Sequence, residues 1–169
     1  MRASLLRPTS SRRGAGASQP LGAAQRLGVV AVAVQAGDAA DVAHREDSAF
    51  HAIVVELQER GVPGVQLHGF AESTTDRYDA VVSTGAAESA PGEVSALADR
   101  MESDGLRVCR GWSARCPLEG TTNVQGRAAE RQHATFVHLE LAPGARGDGR
   151  DSDEAAAAVA GLLTAWAED

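Results

Sequence analysis

The chain has 169 residues and a formal net charge of −7, with 43% hydrophobic, 23% charged and 4% aromatic residues. That length holds one ordinary domain and buries roughly 70% of the surface its unfolded chain exposes, enough for a core without metal or disulfide staples. The acidic balance argues against a nucleic-acid backbone as partner, the few aromatic side chains are too sparse for a base-stacking platform, and no apolar run approaches the roughly 20 residues that span a membrane.

All sixteen basic residues are arginine, which removes any Schiff-base or P-loop lysine chemistry. Residues 1–37 carry five arginines and no acid, whereas the remainder carries eleven arginines and all twenty-three acids. This split predicts an Arg-rich disordered extension over 1–26 and one α/β domain over 27–169. The Arg12-Arg13 pair followed by the apolar Leu27-Gly-Val-Val-Ala-Val-Ala-Val34 has the outline of a weak export signal. The apolar stretch is short, however, and Pro20 and Arg26 separate it from the arginines. It reads better as a first core strand, which favours a cytoplasmic protein. Cys109 and Cys116 are seven apart, neither a C-x-x-C pair nor half of a four-cysteine zinc site; they read as two free or incidentally paired thiols.

In chain order, Asp47 or Ser48 caps a helix over 48–60, with Phe50, Ile53, Val54 and Leu57 on one apolar stripe. Gly64-Val-Gln-Leu-His68 is a short strand stopped by Gly69, and Tyr78-Asp-Ala-Val-Val-Ser83 is another. A second helix over 93–103 turns Val94, Leu97, Ala98 and Met101 inward and closes at Gly105. Residues 106–109 form a strand, and 110–134 read mostly as loop. Thr135-Phe-Val-His-Leu-Glu-Leu141 is the strongest strand signal. Asp151 or Ser152 caps a last helix reaching about 167, with Val159, Leu162, Leu163 and Trp166 inward. Strands alternating with helices predict a single αβα sandwich on a mixed, largely parallel sheet.

Ligands of open α/β sheets bind beyond the carboxyl ends of the strands, so polar residues that close apolar strands are the candidates. His68 ends one strand, with Gly69 leaving room beside it. Glu140 ends another, sharing one face with Phe136 and His138. A carboxylate there is costly to bury unless paired or put to use, and one put to use suits a general base. His44, Asp47 and His51 have the spacing to line one helix face and hold zinc; alternatively Asp47 caps the helix and the histidines are ordinary surface groups. Asn123 and Arg127 precede the Glu140 strand and Arg146 follows it, in positions to grip a carboxylate.

Taken in order, His44-Arg-Glu-Asp-Ser-x-Phe50, Val65-Gln-Leu-His68-Gly, Thr122-Asn123-x-x-Gly126-Arg127 and Val137-His-Leu-Glu140-Leu…Arg146 resemble the later part of poly-gamma-glutamate hydrolase-type proteins. Those are similar to zinc carboxypeptidases, with N-formylglutamate amidohydrolases as looser relatives. The resemblance covers roughly residues 38–147. It implies a zinc-peptidase-like fold without its first strand or strands and a metal-dependent hydrolysis of an amide bond in a small carboxylate-bearing, glutamyl-like substrate or peptide. It makes His68 a zinc ligand and Glu140 the general base, and gives substrate carboxylates to Asn123, Arg127 and Arg146. The family's first two zinc ligands lie in a His-x-x-Glu motif after the first strand, and residues 1–37 contain neither His nor Glu; Pro143 and Gly144 stand where another basic residue is usual. Three readings are open: a true start further upstream, a degenerate inactive descendant, or replacement of the lost pair by His44 and Asp47. Beside the hydrolase stand two non-catalytic alternatives, an α/β module that binds a small carboxylate or a protein partner, and a structural protein.

Overall fold

A computed structural model describes residues 30–33, 42–86 and 89–168, the first of these segments by its backbone. The Arg-rich extension over 1–26, with its Arg12-Arg13 pair, lies outside the described residues. The elements are strand β1 (Val30–Ala33), a 3-10 turn at Val42–His44, helix α1 (Ala49–Glu59), strands β2 (Gly64–Gly69) and β3 (Ala80–Ser83), helix α2 (Gly92–Ser103), strand β4 (Val108–Arg110), helix α3 (Val124–Gln132), strand β5 (Phe136–Leu141), a 3-10 turn at Pro143–Ala145 and helix α4 (Arg150–Glu168). The strands form one open sheet in the order β1-β2-β5-β3-β4. β1 with β2, β2 with β5 and β3 with β4 are parallel, and β5 with β3 is antiparallel. The expected α/β class and mixed, largely parallel sheet are therefore present.

The two faces of the sheet differ in chemistry. Register puts Val65, Leu67, Val137 and Leu139 on one face with Ala80 and Val82. Here lies the main core, closed by Val94, Leu97, Ala98 and Met101 of α2 and by Ala155, Ala158 and Leu162 of α4. The expected inward face of α2 is the observed one. On α4, Leu162 is buried, while Val159, Leu163 and Trp166 pack against the core from its margin. The helix opens at Arg150, so Asp151 stands in its first turn, where a negative charge suits the positive end of the helix dipole.

The opposite face carries Gly64, Gln66 and His68 of β2 beside Phe136, His138 and Glu140 of β5, and is covered by α3, against which α1 packs. Two expectations change here. Ser48 caps α1, accepting from the backbone N–H of His51, and the buried residues of the helix are His51, Val54 and Gln58. Ile53, placed by its spacing on the apolar stripe, is 56% exposed. The face that α1 meets offers amide partners: Gln58 Nε2 donates to the Gln125 carbonyl at 3.1 Å, and Gln125 Nε2 lies 3.4 Å from His51 Nδ1. A polar side chain is tolerated in a buried position where it finds hydrogen-bond partners. The second change is α3 itself, which forms inside the stretch expected to be loop.

Candidate functional site

The carboxyl ends of β2 and β5 lie side by side, with His68 opposite Glu140 and Gln66 opposite His138 in the ladder. This row stands on the polar face. Residues 111–123 cross that face in front of β3 and β5, tied down at three points. Cys116 is joined by a disulfide to Cys109 of β4. The Ser83 hydroxyl donates to the Glu119 carbonyl at 2.6 Å. Gly120, at φ +68°, lies so close over His138 that a Cβ there would stand 2.7 Å from the ring. The two thiols read as free or incidentally paired are thus a bonded pair, and their sulfurs sit in a small apolar cluster with Phe70 and Val81.

Between this loop and the strand ends opens a polar cleft of about 470 Å³. Its wall includes His44, His68, Glu119, Asn123, His138 and Glu140. His138 and Glu140 are nearly buried, at 3% and 8% exposure. His138 Nε2 lies 3.5 Å from Glu140 Oε1, and the rings of His68 and His138 are 4.7 Å apart between centroids. Glu140 is consequently not the solvated residue of an edge strand: β5 has a neighbour on both sides, and the carboxylate faces the cleft from within the sheet.

The other expected residues divide. His44, on its 3-10 turn, lines the cleft with Nδ1 3.3 Å from the Thr122 carbonyl. Asp47 does not line it; its carboxylate takes two hydrogen bonds from the exposed Arg45 guanidinium, which hold it below the ordinary carboxylate range. His51 is buried against Gln125 rather than on a face shared with His44 and Asp47. Asn123 is 1% exposed, and its amide caps α3 and bonds within the protein. Arg127 stands in the first turn of α3, exposed, with Nε donating to the Thr121 carbonyl at 3.0 Å. Arg146 lays its guanidinium across Gly69, where a Cβ would stand 2.6 Å from it, and donates to the Phe70 carbonyl at 2.9 Å. The room that Gly69 leaves beside His68 is filled by this arginine. Neither Arg127 nor Arg146 belongs to the cleft wall.

His138 and Glu119 are the cleft residues that the sequence reading left unassigned. For His138 a signal existed: strand alternation already places it on the face of Glu140 and His68. For Glu119 there was none, because its position depends on a loop pinned by a disulfide. Among the described residues, no three His, Cys, Asp or Glu side chains converge on a point that could hold a metal ion. Comparison with family models, with curated proteins and with solved structures finds no match to this chain.

Proposed function

We propose that the cleft is a hydrolytic site for an amide bond in a carboxylate-bearing, glutamyl-like substrate, with Glu140 as the general base that takes a proton from the attacking water. One observation carries this reading. A carboxylate at 8% exposure stands beside a pair of imidazoles, His68 across the ladder and His138 two residues upstream, and lines a cleft large enough for a small molecule. Burying a carboxylate costs stability unless it is paired or employed, and a base in a shielded, partly dry site is where proton transfer is most effective. The resemblance to poly-gamma-glutamate hydrolase-type proteins supports the same two positions, His68 and Glu140.

The replacement zinc set of His44, Asp47 and His68 is not brought together. His68 and His44 stand on the cleft wall, but Asp47 is engaged with Arg45 outside it.

The test is turnover of γ-glutamyl amides and N-formylglutamate by the purified chain and by Glu140→Gln. Loss of about 10²–10⁴-fold in kcat with an unchanged melting temperature is the expected result, the size that general acid–base groups contribute. Equal turnover in the variant, or none in the parent, ends the reading. A second reading is a non-catalytic module that binds a small carboxylate in the same polar cleft, whose wall carries His44 and His68. It predicts calorimetric binding of glutamate-type ligands without turnover, indifferent to chelator.

A further inference from the structure

The polar network beneath the cleft has its hydrogen-bond direction set from one end. Asn123 caps α3, and its Oδ1 accepts from the backbone N–H groups of Gln125 and Gly126, each at 3.0 Å. Backbone amides can only donate, so the side-chain atom facing them is the oxygen and the amide cannot be turned over. The Nδ2 group is thereby directed inward, where it donates to Gln66 Oε1 and to His138 Nδ1, the latter at 3.2 Å. An amide NH₂ has two protons to give and no lone pair to offer. His138 Nδ1 therefore receives this bond with its lone pair, which leaves the ring proton on Nε2, a buried atom 3.5 Å from Glu140 Oε1.

We propose that Asn123 is a positioning residue that sets the tautomer of His138, so that a buried N–H faces the Glu140 carboxylate. An imidazole ligates a metal through an unprotonated nitrogen, and in His138 the unprotonated nitrogen is the one taken by Asn123. His138 is a hydrogen-bond donor in this arrangement. Its use rests on the hydrolytic reading: an N–H behind Glu140 steadies the carboxylate that takes the proton of the attacking water. Asn123, expected to hold a substrate carboxylate, acts instead through His138.

The test is long-range ¹H–¹⁵N correlation of the imidazoles in the full chain, at about pH 8, above the ordinary imidazole range near 6.5. The His138 signals are assigned by their loss in His138→Gln. In the parent chain, Nε2 is expected to carry the proton and Nδ1 to show the downfield shift of an unprotonated nitrogen. Asn123→Asp keeps the cap, since Asp caps a helix as well as Asn does, but it turns an acceptor toward Nδ1; the two shifts are expected to exchange. Asn123→Ser also keeps a cap without reaching the ring, and a mixture of both patterns is expected. A parent chain with the proton on Nδ1 overturns the proposal outright, whether or not the variants fold. An Nε2–H pattern unchanged in both variants removes Asn123 from the role. No substrate enters the experiment, so failure of hydrolysis and failure of the tautomer assignment are read separately.

Discussion

Gly120 shows how much of the site hangs on one backbone angle. At φ +68° an L side chain is strained, and a Cβ would meet Cδ2 and Nε2 of His138 at 2.7 Å. Gly120→Ala is expected to cost about 1 kcal/mol or more in backbone strain alone, lowering the melting temperature by about 2–4 °C per kcal/mol for a domain of this size. It also displaces the imidazole, so turnover should fall further than stability. Calorimetry and kinetics on one preparation check both. Asp79 carries a different prediction. Its carboxylate accepts from the Arg107 guanidinium at 2.7 and 3.0 Å and from the Arg107 backbone N–H at 2.8 Å. The Arg107 side chain holds it below the ordinary value of 3.8. A carboxyl group whose folded value is depressed contributes stability that is complete above the unfolded value and is lost as pH falls through the lower folded one. Urea midpoints should drop more steeply below about pH 4 in the parent than in Asp79→Asn. Parallel acid limbs would show that the pair contributes nothing.

Among the elements, legibility followed apolar periodicity. The inward face of α2 was readable because Val94, Leu97, Ala98 and Met101 recur at helical spacing over an apolar sheet face. Met101 is fully buried, and Met101→Ala is expected to cost about 2–5 kcal/mol in denaturant unfolding. On α1 the same spacing misled. It placed Ile53 in the core, whereas α1 turns His51 and Gln58 inward to meet Gln125 of α3. Ile53→Ser is therefore expected to change stability by no more than about 0.5 kcal/mol. α3 escaped notice because its nine residues, VQGRAAERQ, bury a valine, an amide and small side chains rather than a stripe of large apolar ones. Its start signal, Asn123, had been assigned to substrate. Its end has His133 in the left-handed region where a glycine would have marked the stop. His68 and Glu140 were legible because strand-end position follows from the strand pattern. Their companion His138 was on the same face, but nothing in a linear reading showed that Asn123 would reach it across the start of a helix.

For the whole molecule, the Cys109–Cys116 bond fastens the cleft loop to the sheet. Its chain separation of seven gives an entropic contribution of about 2.5 kcal/mol in the loop-closure account. Reduction is expected to lower stability by about that much and to raise hydrogen exchange over residues 111–123 more than over α2. Uniform loosening would show that the bond holds the fold and not the loop. The strand order has a consequence of another kind. Among the described residues β5 is the last strand, yet it sits between β2 and β3, which do not pair with each other. During synthesis the ribosome therefore delivers two unjoined pieces, β1–β2 with α1 and β3–β4 with α2. Each keeps a bare hydrogen-bonding edge until β5 has been made, and for that time the edge is open to pairing with another chain.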